Sequence, residues 1–168
     1  MNLLVTGRSG CGKTTVCKAL TAMKMPTLDA DRVKGLVGWV DRMTLDPVEV
    51  DYSQPIDTSK VGWFWVETVL QKLLTQNDDL ILCGSAHNQL GYYPLFDRVI
   101  LLDVSAQEQT RRIQTRTEHD YAKISAMSER VVREQAQLLA SSRGLGAIIM
   151  NAERPPREIA IDIVRHLR

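Results

Sequence analysis

The sequence predicts an α/β fold in which five parallel strands are covered on both faces by helices. Three observations carry that prediction. Short apolar runs alternate with helix-spaced apolar residues along the whole chain. The strand-like runs are nearly continuous in apolar residues, as strands buried on both faces are. A glycine-rich turn joins the first apolar run to the first helical stretch, and a chain alternating in this way builds a parallel sheet.

In order, residues 2–6 form a short apolar run that stops at Gly7, which reads as a buried strand. Val16, Ala19, Leu20 and Met23 recur at helical spacing, and residues 26–29 suit a second short strand. Val61, Phe64, Trp65, Val69 and Leu73 predict a helix face, followed by a strand over residues 80–83. Residues 98–103 give the strongest strand pattern, with a helix over 106–116 after it. Ile124, Met127, Val131 and Leu138 mark a long helix that Gly144 is expected to end by adopting positive φ. Residues 147–150 make the last strand, and Pro155-Pro156 sit in the first turn of a closing helix bearing Ile159, Ile163 and Leu167. Residues 38–57 break the alternation: Asp46-Pro47, then Val48, Val50 and Tyr52, then Pro55 read as a hairpin or irregular insertion.

The chain has 168 residues, which suits one domain, here with residues 38–57 as a cap and about 111–123 as a mobile lid. At 44% hydrophobic and 24% charged, with 21 basic against 20 acidic side chains, it is neither disordered nor strongly charged. A net charge of +1 gives little bulk attraction to nucleic acid or an anionic membrane. Cys11, Cys17 and Cys83 form no C-x-x-C pair and read as reduced thiols. No targeting or membrane-spanning segment is expected, and the protein is expected in the cytoplasm.

Gly7-Arg8-Ser9-Gly10-Cys11-Gly12-Lys13-Thr14 matches G-x-x-x-x-G-K-[ST], between a strand and a helix. Backbone N–H groups of such a loop point inward at phosphate oxygens, and the helix start adds its positive dipole end. Lys13 would reach the β- and γ-phosphates and Thr14 would set its hydroxyl on magnesium. A GTPase would show N-K-x-D and D-x-x-G, and neither string occurs. A motor ATPase would show an apolar strand ending in adjacent acids, but residues 80–83 run into Gly84-Ser85. Asp103 reads as a strand-end structural carboxylate, and the short chain favours a kinase using ATP and Mg²⁺.

With this loop and the segments after it, the sequence resembles the small P-loop kinases, within them the shikimate-kinase-like and nucleoside-monophosphate-kinase-like group. The likeness runs in order over most of the chain. The loop at residues 7–15, Thr15 included, is followed by Thr27-Leu28-Asp29-Ala30-Asp31, similar to the Asp-x-Asp of shikimate and gluconate kinases. Residues 99–103 with Ser105 and Arg111-Arg112 resemble the strand and helix leading into the lid, and Asn151-Ala152-Glu153-Arg154-Pro155 the adenine loop. The resemblance implies a P-loop NTPase fold with strand order 2-3-1-4-5 and transfer of the γ-phosphoryl group to a small acceptor.

Residues two apart on a strand point the same way, so Asp29 and Asp31 can both face the crevice beyond the strand end. One can hold a water of the magnesium shell and the other can take a proton from an attacking hydroxyl. The resemblance gives Asp29 the metal and Asp31 the acceptor; the structural alternative is that either caps the next helix. Arginine supplies 14 of the 21 positive charges, which suits bidentate phosphate contacts. The resemblance places Arg111 or Arg112 on adenine and Arg130 where shikimate kinases hold an acceptor anion, while Arg116, last of the cluster before the polar stretch 117–120, is the choice for neutralising charge on the moving phosphoryl group. Each arginine is otherwise a solvated helix residue in an i,i+4 pair.

The departures lie on the acceptor side. Cys83-Gly84-Ser85-Ala86-His87-Asn88 replaces a Gly-Gly-Gly turn, and Gly62-Trp63-Phe64-Trp65 stands where an arginine would hold shikimate's carboxylate, so shikimate is disfavoured. Gly84, Ser85 and His87 are candidate acceptor contacts, with Asn88 and Gln89 as further hydrogen-bonding groups. Trp39, Trp63 and Trp65 either stack on a sugar or base or fill space beneath the insertion. The acceptor is a hydroxyl-bearing metabolite or nucleoside, or alternatively a nucleoside monophosphate. A non-kinase ATPase working through a protein partner is the competing class.

Overall fold

A computed structural model describes residues 1–54, 56–115 and 125–167, with side chains in the last segment from residue 129 onward. The elements are β1 (Asn2–Thr6), α1 (Lys13–Ala22), β2 (Thr27–Asp29), β3 (Val37–Asp41), β4 (Val61–Trp65), α2 (Glu67–Thr75), β5 (Leu80–Cys83), β6 (Arg98–Asp103), α3 (Ala106–Thr115), α4 (Ser125–Gly144), β7 (Ile148–Asn151) and α5 (Pro156–Arg165). Short 3₁₀ turns follow β2 and precede β6.

Five strands form one parallel sheet in the order β2-β5-β1-β6-β7. With the strands of the separate β3-β4 hairpin set aside, that order is 2-3-1-4-5. Successive residues along β1 serve opposite faces. Leu3 and Val5 pack with Val16, Leu20, Ile159 and Ile163 of α1 and α5. Leu4 packs on the other face with Leu70, Leu74, Leu82 and Val99. This two-sided burial is the reason the strands read as apolar runs rather than alternating ones. The sheet's switch point lies at β1, flanked by β5 and β6, so a crevice opens beyond its C-terminal end. Among the described residues no helix is long and apolar enough to cross a membrane.

Two expectations need correction. Val61–Trp65 is a strand, paired antiparallel with Val37–Asp41, and the helix begins only at Glu67. The run Val-Gly-Trp-Phe-Trp is rich in aromatic residues that suit a pleated surface, and five residues are too few for periodicity to separate strand from helix. Leu70 and Leu74 are the buried residues of α2, with Val69 and Leu73 partly buried beside them. The second correction concerns the end of α4. Gly146, not Gly144, carries the positive φ, +79°. Its N–H bonds Arg143 O (3.1 Å) while Ala147 N–H bonds Ser142 O (3.0 Å), the paired bonds of a Schellman cap.

Candidate active site

The glycine-rich loop sits at the switch point, between β1 and α1. Gly7, Gly10 and Gly12 all have φ between +85° and +145°, so the backbone curls as the motif requires. Lys13 Nζ lies back over the loop and donates to Gly7 O (2.6 Å) and Arg8 O (3.2 Å). Two glutamines brace the loop from outside. Gln109 Nε2 on α3 donates to Ser9 O (2.8 Å). Gln135 on α4 accepts from Arg8 N (2.9 Å) and donates to Leu102 O (3.0 Å), which ties loop to β6. Nothing in their sequence surroundings marks either glutamine, because each acts across more than thirty residues of chain. Cys11 is buried beneath the loop, and burial pushes its thiol up to about 11, so it stays protonated.

On one side of the loop a cleft of about 560 Å³ is bordered by Gly10, Gly12, Thr15, Arg111, Arg112 and Arg154. Arg112 Nε donates to Glu108 Oε1 (2.6 Å) and its Nη2 to Ala152 O (3.0 Å), which spans α3 and the segment after β7. Arg111 closes on Glu108 in a bidentate pair at 2.7 Å. The Arg111 hydrogen bond, then that of Arg112, holds the Glu108 carboxyl down at about 2. Arg154 is paired with Asp162 (2.7 Å) and Glu158 (3.4 Å) on α5. The three arginines expected near nucleotide therefore gather at one cleft, each with a carboxylate already beside it. Arg116 and the expected lid beyond Thr115 lie outside the described residues.

On the other side of the loop, Asp29 and Asp31 bracket Ala30 in the turn after β2. Asp29 Oδ1 accepts from Asp31 N (3.1 Å), so this carboxylate does cap the turn, with Arg32 4.0 Å from its second oxygen. Thr14 and Asp29 border the same crevice of about 360 Å³. Asp31 keeps an open side, yet the protein around it pushes its carboxyl above the ordinary value. The Lys13 ammonium opposes that rise, Asp29 adds to it, and a hydrogen bond from the Trp63 side chain reduces it. Gly84 sets the position of this turn by close approach. A Cβ there would stand 2.4 Å from Ala30 Cβ.

The β3-β4 hairpin forms the outer wall. Trp63 exchanges two bonds with His87: its N–H donates to His87 Nδ1 (2.8 Å), and His87 N–H donates to Trp63 O (2.7 Å). Asn88 does the same with Trp65 through its side-chain amide, at 2.9 and 3.0 Å. The segment after β5 is thus fastened to β4, and Asn88, a sequence candidate for the acceptor, is a backbone fastener instead. Trp65 is also corrected: at 2% exposure it packs in the core against Phe96 and Tyr92, not in a binding wall. Trp39 likewise fills the hairpin beside Ile56 and gives its indole N–H to Tyr52 Oη (2.8 Å). Trp63, the third tryptophan, is the one whose indole meets Asp31. The sequence offered all three without a way to rank them, since the hairpin pairing that turns Trp63 toward Asp31 is tertiary. Ser85 is half-buried in the segment after β5, and Arg130 on α4 donates to Glu134 Oε1 (2.9 Å).

A family model described as an AAA domain matches residues 3–136. The chain belongs to that family. The match runs from β1 into α4 and so takes in the strand, glycine-rich loop and helix at the switch point. Among curated proteins none matches the sequence closely enough to count as a relative. In structure this AAA domain is similar to a shikimate kinase from Acinetobacter baumannii in complex with shikimate, with TM-score 0.63, 16% identity, and coverage of 99% of this chain and 92% of that one. It is similar to a deoxyadenosine kinase from M. mycoides with bound dATP, with TM-score 0.59, 14% identity, and 98% and 100% coverage. A gluconokinase from Sinorhizobium meliloti 1021 matches with TM-score 0.56, 18% identity, and 95% and 86% coverage. The fold is that of the small P-loop kinases.

The oxygen donors present suit magnesium. Thr14 Oγ and the Asp29 carboxylate share one crevice, and the described residues hold no cluster of three or more His, Cys, Asp or Glu. Magnesium takes few protein ligands and keeps waters and substrate phosphates for the rest, which matches a hydroxyl and one carboxylate.

Proposed function

We propose that the protein is a kinase that transfers the γ-phosphoryl group of ATP to a hydroxyl of a small acceptor. The observation that carries this reading is the Asp31 carboxylate. It lies in the turn directly after Asp29, feels the Lys13 ammonium, takes a hydrogen bond from the Trp63 side chain, and its carboxyl is raised above the ordinary range. A raised carboxyl is a stronger base once ionised, which suits it to take the proton an attacking hydroxyl must lose. The structural neighbours support the same class, being named for shikimate, deoxyadenosine and gluconate, all hydroxyl-bearing molecules.

In this mechanism the loop amides cradle the phosphates and Lys13 exchanges its carbonyl partners for phosphate oxygens. Thr14 and Asp29 would hold Mg²⁺, which supplies charge neutralisation at the phosphates. Arg112 reaches over Gly12 from α3, and Arg111 and Arg154 border the remainder of the nucleotide cleft. Arg116 follows directly on α3 in the chain and is assigned the charge that develops on the phosphoryl group. Asp31 accepts the proton. A screen of hydroxyl-bearing acceptors that follows ADP release tests the reading. Release that depends on an acceptor and is lost in Asp31→Asn is expected. Steady ATP hydrolysis indifferent to every small molecule would instead make the protein an ATPase that works through a partner.

A further inference from the structure

A separate cavity of about 210 Å³ lies between the phosphate loop, the segment after β5 and α4, bordered by Arg8, His87, Gln89, Glu134 and Ser141 among others. Its wall holds hydrogen-bond donors that the described residues leave unmatched. Gln89 is only 1% exposed. Its Oε1 accepts from Thr6 Oγ1 (2.6 Å) and Ala86 N (3.4 Å), and its Nε2 has no hydrogen-bond partner among the described residues. Arg8 Nε is buried in the same condition. Because His87 Nδ1 accepts the Trp63 N–H, the neutral ring carries its proton on Nε2. Burial, then Arg8, lowers this imidazole to about 4, so the ring is neutral at physiological pH.

Those donors face a carboxylate. Glu134 Oε1 is taken by Arg130 at 2.9 Å. Glu134 Oε2 lies 3.8 Å from Arg8 Nε and 3.9 Å from His87 Nε2, close enough to neutralise the arginine but beyond hydrogen-bond reach. An oxyanion placed among the donors would meet this oxygen at short range and be repelled. A hydroxyl satisfies both kinds of group, since it accepts from Gln89, Arg8 or His87 and donates to Glu134. An ion pair with exposures of 16% and 19% is costly to break, so Glu134 is not easily displaced from Arg8 by an incoming anion.

We infer that this cavity receives an uncharged, hydroxyl-bearing end of the acceptor, and that Glu134 sets the preference for such an acceptor over one with a phosphate or carboxylate there. The inference rests on the kinase reading. The cavity is next to the proposed transfer site, since His87 is bonded to the backbone of Trp63, whose indole meets Asp31.

The test compares acceptors in matched pairs, an uncharged polyol or nucleoside against its carboxylate or phosphate analogue, in wild type, Glu134→Gln and Glu134→Asp. Wild type and Glu134→Asp are expected to favour the uncharged member by tenfold or more in kcat/KM. Glu134→Gln is expected to narrow that ratio at least tenfold, because Arg8 and Arg130 then lack a charged partner. A second arm needs no turnover: inorganic phosphate is titrated while the His87 ring protons are followed by NMR. Millimolar phosphate should move them in Glu134→Gln and leave them still in wild type. A wild type that prefers the anionic analogue, or that answers phosphate as the variant does, overturns the inference. If no acceptor releases ADP, the kinase reading fails, while the phosphate arm still decides what the cavity holds. Should Glu134→Gln not fold, the two wild-type measurements decide it.

Discussion

Gly84→Ala isolates the contact that positions both aspartates. The new methyl would stand 2.4 Å from Ala30 Cβ, and Ala30 is fully buried between Asp29 and Asp31. Ordinary contact begins near 3.4 Å, so the turn or the end of β5 must give by about 1 Å, and packing strain of that kind costs typically ~1–3 kcal/mol. For a chain of this length that predicts a fall in Tm of roughly 2–12 °C. The effect on chemistry is larger than the effect on stability. A ~1 Å misplacement of a reacting group can cost ~10²-fold in rate. ATP affinity should barely change, because the glycine-rich loop is braced separately by Gln109 and Gln135. The second substitution Ala30→Gly removes the opposing methyl, and the next atom, Ala30 Cα, is 3.6 Å away at ordinary distance. Gly84→Ala/Ala30→Gly should therefore recover most of the rate that Gly84→Ala loses, less the ~0.5–1 kcal/mol that an added glycine costs in stability. Thermal unfolding, ATP titration and acceptor-dependent ADP release on the four proteins of this cycle supply the readings. A Gly84→Ala protein as stable and active as wild type, or a double variant no better than the single, refutes the reasoning.

Lys13→Ala should lower phosphoryl transfer by several orders of magnitude and leave the circular dichroism spectrum unchanged, because the backbone amides of the loop remain while the ammonium that neutralises transition-state charge is gone. Gly146→Ala should destabilise by about 1–2 kcal/mol through its left-handed φ, whereas Gly144→Ala in the last turn of α4 should stabilise by about 0.5–1 kcal/mol, read as opposite shifts in denaturant midpoint. The Glu108 carboxyl, at about 2 in the folded chain against roughly 4.3 unfolded, keeps its hold on Arg111 and Arg112 at all pH above the unfolded value and loses it as pH falls toward 2; a carboxyl NMR titration with an ordinary midpoint would remove that clamp. Asp31 has the opposite sign: its folded value is raised, so ionising it weakens the fold as pH rises through that value, and Asp31→Asn should be more stable than wild type at neutral pH and no more stable in acid. The acid limb of the wild-type rate should follow the same carboxyl; equal neutral-pH stability of the two proteins would contradict the raised value.

The glycine-rich loop and its flanking strand and helix were legible because every requirement there is local: glycines where φ is positive, an apolar run before, helical spacing after. The five sheet strands were legible because burial on both faces leaves continuous apolar runs. The hairpin was half legible. Residues 38–57 announce a break in alternation, but its second strand lies at Val61–Trp65, beyond that break, and its paired residues are twenty or more apart along the chain. The same distance hid the site's acceptor wall. Three tryptophans in one region of sequence have three different surroundings, and only the pairing of Trp39 with Trp63 and the bonds from His87 decide which indole reaches Asp31. Gln109 and Gln135 carried no pattern, since they act through bonds to partners distant along the chain, and for Glu134 the sequence shows only the i,i+4 spacing to Arg130, not its approach to Arg8 and His87.

The arginines divide by their own exposure, from 62% at Arg111 and 40% at Arg154 down to 16% at Arg8, and that division separates the two sides of the site. Arg111, 62% exposed, pairs with Glu108 at the mouth of the nucleotide cleft, where water stands ready to replace either partner and an exposed pair is worth about 0–1 kcal/mol. Exchange of such a carboxylate for a triphosphate would therefore be nearly free, and Arg111 and the 40% exposed Arg154 would serve as a reserve of charge that nucleotide can recruit, while Arg112, 24% exposed and bonded to Ala152 O, is held in place. Arg8 and Glu134 are both less than one fifth exposed. There, removal of one partner leaves the other charge stranded in a poorly hydrated wall, a loss of typically ~3–5 kcal/mol. An anionic acceptor would have to supply that energy before it gained anything from Arg8, whereas a hydroxyl leaves the pair in place. On the proposed reading the same residue type would draw phosphate on one side of the loop and discourage it on the other, and the difference lies in the exposure of the arginine itself, since Glu108 and Glu134 are buried alike at 21% and 19% exposed.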